Sequence, residues 1–122
     1  MRFLPTLLHG MLDYLVGLLL IASPWLLDFE HGGAESWVPV ILGAVVILYS
    51  ALTDYELGLV RSIGMPTHLA FDTAGGLVLA LSPWLFGFAY VVIWPHVIVG
   101  LFEVLVASVT HTVAGDRRPL IG

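Results

Sequence analysis

Residues 9–29, HGMLDYLVGLLLIASPWLLDF, recur as residues 68–88, HLAFDTAGGLVLALSPWLFGF, at a constant offset of 59 positions. His9, Asp13, Gly17, Ser23, Pro24, Trp25 and Phe29 fall on His68, Asp72, Gly76, Ser82, Pro83, Trp84 and Phe88, and ten of the 21 aligned positions are identical. Shared hydrophobicity alone does not produce that register. The match resumes at an offset of 57, where Trp37, Gly43 and Thr53 meet Trp94, Gly100 and Thr110. The two-residue slip falls in the connecting segment, where length changes are tolerated best. An internal repeat constrains the fold before any element is assigned: two copies of a two-segment unit build this molecule, with repeat 1 at about 4–54 and repeat 2 at about 67–111.

The segments themselves are too apolar for a water-soluble globule. The chain is 59% hydrophobic and 11% charged, with a mean hydropathy of +1.01, whereas a soluble domain carries about 25% charged residues. Stretches 4–27, 37–53, 68–88 and 94–110 each approach or reach the ~20 apolar residues that cross a bilayer core. The expected fold is all-α: four transmembrane helices in one membrane domain spanning 1–122. The two helical hairpins point the same way and are related by a pseudo-two-fold axis along the membrane normal, a parallel repeat.

Charge sets the expected orientation. Arg2, Arg61, Arg117 and Arg118 lie on one side of a four-crossing arrangement, while the opposite loops carry Asp28, Glu30 and Glu35 and no Lys or Arg. The positive-inside rule then places both termini and the central loop 55–67 in the cytoplasm. The N-terminus is not a signal peptide by its pattern, because His9 and Asp13 interrupt its apolar run and the same run recurs at His68. With no cysteine there is no disulfide, thiolate metal site or thiol redox chemistry. A net charge of −5 argues against nucleic acid as a partner.

In each unit the first segment ends in Ser-Pro-Trp. Proline inside a helix lacks an N–H and clashes with the carbonyl four residues back, here that of Leu20 or Leu79. Ser-Pro is also a good cap-and-first-residue pair. The expectation is a break or kink at Ser23 and Ser82, followed by a short amphipathic turn (24–29 and 83–88). Trp25, Trp37, Trp84 and Trp94 then form one aromatic belt at headgroup depth.

These features resemble the SPW-repeat membrane proteins of bacteria. The resemblance rests on Ser23-Pro24-Trp25 and Ser82-Pro83-Trp84 within a duplicated His-x3-Asp framework, and it covers almost the whole chain. It implies an integral membrane protein with a helical fold and carries no activity with it, so function must be read from the residues; the expected location is the bacterial inner membrane.

Ionisable groups inside membrane segments are costly and mark functional candidates. His9 and Asp13 are four apart on one helical face, with Gly17 continuing the stripe; His68, Asp72 and Gly76 repeat it. On the second helices Gly43, Ser50 and Asp54 share a face, as do Gly100, Glu103, Ala107 and His111. Counting back from the outer loops puts Asp13, Asp72, Asp54 and His111 at roughly 22–26 Å, with His9 and His68 one turn nearer the cytoplasm. If these faces turn inward, three imidazoles and three carboxylates converge in one layer.

Two readings of that layer stand side by side. It is a site for an ion, a small ligand or a divalent transition metal, since imidazole and carboxylate suit Zn, Mn, Fe or Ni and bundles build metal sites from inward-facing residues. Alternatively it is a satisfied polar network that fixes helix register in a non-catalytic scaffold or accessory subunit. A haem between His9 and His68 fits less well, because carboxylates share the layer. Glu103 is a further candidate for proton or ion linkage. It falls about 13 Å past Trp94, near the midplane, where burial favours the neutral acid, and its repeat partner is Val46.

His31, in a Gly-rich loop, and His96, at a helix start, are weaker candidates. No P-loop, GxGxxG, GxSxG, HExxH or EF-hand pattern occurs, and catalysis is not expected. The expected partners are the lipid bilayer and a second copy of the chain, because short glycine-lined helices bury limited area alone.

Overall fold

The computed structural model describes residues 1–117; of the four arginines, Arg118 lies outside them. Among the described residues there are four α-helices and no strand: α1 (Thr6–Leu26), α2 (Ala34–Ala51), α3 (Met65–Leu85) and α4 (Trp94–Val109), followed by a single 3-10 turn at Gly115–Arg117. Pro66 and Pro95 sit in the first turns of α3 and α4, where the missing N–H has no intrahelical role. α1 and α2 are long and apolar enough to cross a membrane. α3 matches α1 in length at 21 residues, and α4 is a shorter apolar helix of 16.

α1 packs chiefly on α2, and α3 on α4; α2 and α3 touch more sparingly. Glycine permits the tight pairs. A Cβ on Gly43 would lie 2.5 Å from the Gly17 carbonyl, and one on Gly100 would lie 2.5 Å from the Gly76 carbonyl. Small residues let helix backbones approach this closely where apolar side chains gain nothing from leaving lipid. The outward faces are apolar: Leu18, Leu48, Ile98 and Leu105 are all 60% exposed or more. In water such a surface would be an aggregation site; in hydrocarbon it is ordinary solvation.

The Ser-Pro-Trp steps do not break the helices. α1 runs on through Pro24 to Leu26, and α3 through Pro83 to Leu85. The reason is local. Pro24 leaves the Leu20 carbonyl without its helical donor, and Ser23 Oγ donates to that same carbonyl at 2.8 Å. Ser82 Oγ donates to the Leu79 carbonyl, freed by Pro83, at 2.6 Å. Membrane helices tolerate proline when a nearby hydroxyl re-satisfies the freed group. A third case crosses between helices: Pro39 lies inside α2 and frees the Glu35 carbonyl, which accepts from His96 Nε2 at 3.0 Å. Each helix then ends about one turn beyond its Ser-Pro step, with the Pro24 carbonyl receiving Phe29 N–H and the Pro83 carbonyl receiving Phe88 N–H. Trp25, Trp37, Trp84 and Trp94 are all exposed, and all lie where the helices meet the 27–33 and 86–93 connections. This is the Trp end of the bundle.

The opposite, terminal end is stapled by backbone. Phe3 and Leu4 N–H donate to the Val109 carbonyl, and Arg2 Nη1 donates to the carbonyls of Ala107 and Thr110. At the end of α2, Leu59 and Val60 N–H cap the Ala51 carbonyl, and Ser62 and Ile63 N–H cap that of Leu52. Both sets cover helix carbonyls that would otherwise lack donors.

Candidate functional site

One turn in from the terminal end, α1 and α3 turn their His-x3-Asp faces toward each other. His9, Asp13 and His68 have no exposed surface, and Asp72 has 1%. One ligand atom from each of the four lies within 4.8 Å of all the others, the one such group among the described residues. His9 Nε2 stands 2.6 Å from Asp72 Oδ2 and 3.1 Å from Asp13 Oδ2. His68 Nε2 stands 2.7 Å from Asp13 Oδ2 and 3.2 Å from Asp72 Oδ2. The pairs within a helix are therefore the longer ones. The short contacts cross from one half of the chain to the other, so the centre belongs to neither half alone.

The other nitrogen of each ring fixes the chemistry. Thr110 Oγ1 donates its only proton to the Val106 carbonyl at 2.6 Å, so its contact with His9 Nδ1 at 2.7 Å requires Nδ1–H as donor. Thr53 Oγ1 likewise donates to the Tyr49 carbonyl at 2.6 Å and receives His68 Nδ1–H at 2.7 Å. With both Nδ1 positions protonated, a neutral ring turns its Nε2 lone pair to the centre. Orienting a ligating imidazole through its second nitrogen is the usual support for a metal-binding histidine. The same four groups alternatively hold two protons in the two short N···O contacts. Two protons or one divalent cation leave the centre with the same net charge, so the arrangement suits either within hydrocarbon.

The carboxylates are supported unequally. Tyr49 Oη donates to Asp72 Oδ1, and its ring packs edge-on against His68 at 5.0 Å. The repeat position of Tyr49 on α4 is Val106, so Asp13 Oδ1 has no equivalent donor and no partner. Glu103 is 4% exposed, and neither of its carboxyl oxygens has a hydrogen-bond partner. At the terminal end Tyr55, fully buried, tilts its ring over His68 at 5.6 Å. It lies outside the helices, and burial holds its phenol above the usual tyrosine range. Thr6 Oγ1 donates to the Glu56 carboxylate beside it at 2.7 Å.

Four of the six residues expected in the polar layer thus meet. Asp54 and His111 do not join them. The helical faces that would have aimed them inward stop short, because α2 ends at Ala51 and α4 at Val109. Asp54 instead forms an ion pair with Arg117, and the His111 N–H donates to the Leu4 carbonyl. Their places are taken by Thr53 and Thr110, one residue earlier. The signal for the threonines was the repeat itself, which pairs Thr53 with Thr110 but pairs Asp54 with the chemically different His111. Tyr49, paired with Val106, left no such trace.

A family model described as SPW repeat domain matches residues 7–110. Neither the curated proteins nor the solved structures include one that matches the chain significantly.

Proposed function

We infer that this chain, which belongs to the SPW repeat family, is a membrane protein that binds a divalent transition metal through His9, Asp13, His68 and Asp72. The observation that carries the reading is the pair of threonines: each commits an Nδ1–H outward, so two Nε2 atoms and two carboxylate oxygens face one point. Two neutral imidazoles and two carboxylates neutralise a divalent ion, which matters where unbalanced charge is costly. Zinc suits four such donors best. A tetrahedron with bonds of about 2.0–2.1 Å has edges of about 3.3 Å. The four N···O separations, 2.6 to 3.2 Å, lie within about 0.7 Å of that edge, and no two of the four ligand atoms are more than 4.8 Å apart. Asp54 and His111 have no part in the set, the two carboxylates at the centre disfavour a haem between His9 and His68, and the role is binding rather than catalysis.

Around this centre the chain makes four crossings as two tandem hairpins in a bacterial inner membrane, with both termini and the 52–64 connection in the cytoplasm. The arginine asymmetry and the exposed tryptophans at the opposite end support that orientation. A second reading has an observation of its own: the short His9–Asp72 and His68–Asp13 contacts clamp α1 to α3 without any metal, as a scaffold would require.

Elemental analysis of protein purified in dodecylmaltoside without chelator separates the two. The expected result is one metal ion per chain, zinc or a neighbour of it, lost in the His68→Ala/Asp72→Ala double variant while far-UV circular dichroism and size exclusion stay unchanged. If the double variant does not fold, His68→Gln is measured instead. Protein that holds no metal and takes up none from added zinc chloride refutes the reading in favour of the clamp.

A further inference from the structure

A third buried histidine lies away from the His/Asp centre, and the proline it serves explains only half of it. His96 is 1% exposed. Its Nε2 meets the Glu35 carbonyl, which only accepts, so Nε2 carries the ring proton. In the neutral ring Nδ1 is therefore a lone-pair acceptor, and nothing donates to it. The ring borders a crevice of about 320 Å³ between α1 and α4 toward the Trp end, whose walls include Val16, Leu20, Phe29, Val99 and Phe102. Leu19 and Ile98, also on its wall, are at least half exposed, so the seam opens sideways onto the apolar outer surface. Ser23, at the same crevice, has its single proton engaged by the Leu20 carbonyl.

The crevice thus holds no donor for the unpartnered Nδ1, in walls that are otherwise apolar and partly aromatic. A carbonyl or ether head would find nothing to bond. A hydroxyl would supply the donor that the buried, unpartnered His96 Nδ1 lacks, and leaving a buried acceptor unpaired is what a native site avoids. Aromatic walls favour a flat ring behind that hydroxyl: Phe29 and Phe102 line the crevice, and the Phe29 ring stands 5.2 Å from the imidazole. We propose that the α1–α4 crevice binds a lipid-soluble phenol of the quinol type, whose hydroxyl donates to His96 Nδ1 while its ring and apolar tail lie along the seam. The repeat partner of His96 is Pro39, so this site occurs once in the molecule and is independent of the metal centre.

The test uses the full chain in dodecylmaltoside under argon, with duroquinol, duroquinone and the dimethyl ether of duroquinol as probes in isothermal titration calorimetry. These share a methylated ring and differ in whether they donate. Duroquinol is expected to bind about tenfold or more tightly than either of the others, the worth of one buried hydrogen bond. His96→Phe, which keeps a ring in much of the same space and has no acceptor, should reduce duroquinol to the level of the quinone. Equal binding of the three probes to the wild-type chain overturns the proposal, whatever the variant does. So does undiminished duroquinol binding by a folded His96→Phe protein.

Discussion

Replacing Ser82 by alanine should destabilise the bundle only while Pro83 is present. The Leu79 carbonyl loses its helical donor to Pro83 and takes Ser82 Oγ–H at 2.6 Å instead; Ser82 is fully buried and Leu79 is 1% exposed. Without the hydroxyl that carbonyl stands unpaired in a dry interior, at a cost of about 1–3 kcal/mol. Pro83→Ala restores a backbone N–H at the position where an α-helix would place it. In that background Ser82→Ala should cost no more than about 0.5 kcal/mol, so the coupling in the double-mutant cycle should come to about 1–2 kcal/mol. Ser23 makes the same bond to Leu20 at 2.8 Å but is only partly buried. Its cycle should therefore give a smaller coupling. The measurement is reversible unfolding of detergent-solubilised protein by added SDS, followed by far-UV circular dichroism and tryptophan fluorescence. If Ser82→Ala is equally damaging with alanine at position 83, the hydroxyl is not substituting for the missing N–H and the account of the motif fails.

The remaining predictions concern the metal centre, the helix pairs and the orientation. Thr53→Val and Thr110→Val, which remove the acceptors for the two Nδ1–H groups, should each weaken zinc affinity about 10- to 100-fold, with Thr→Ser retaining most of it; a titration against a competing chelator reads this, and affinity in the parent should fall as pH is lowered because protons compete for the same nitrogens. Gly100→Ala places a Cβ 2.5 Å from both Ala80 N and the Gly76 carbonyl and should cost about 1–3 kcal/mol in the same SDS assay. Gly75→Ala, with nothing within 4 Å, should be neutral or slightly stabilising. Single cysteines at Met1 and Arg61 should resist a membrane-impermeant maleimide applied to intact cells, whereas those at His31 and Ala89 should react; labelling of Arg61 from outside would invert the topology. Sedimentation in detergent should give a homodimer, and a monomer over a wide concentration range would count against it.

The duplication, the apolar segments and the pair of His-x3-Asp faces were all legible in the sequence. Helix periodicity puts residues four apart on one face, and a repeated spacing implies a repeated position. That is why His9, Asp13, His68 and Asp72 are recognisable from the sequence as equivalent pairs. What periodicity does not reveal is where a helix stops. Asp54 and His111 continue the right faces on paper, but α2 and α4 end before them, and they become an ion-pair partner and a backbone donor instead. The same limit hid the fate of Ser-Pro-Trp: proline predicts a lost hydrogen bond, and only the serine rotamer decides whether that loss breaks the helix or is made good within it. Tertiary structure alone decided the pairing across halves, with His9 closest to Asp72 and His68 closest to Asp13, and the threonine contacts that fix which nitrogen faces the centre. It also brought His96 to a carbonyl 61 residues away and Tyr49 to Asp72. Local sequence determines which groups a helix face presents. Which of them meet, and where their protons must lie, depends on distances between helices that no single segment contains.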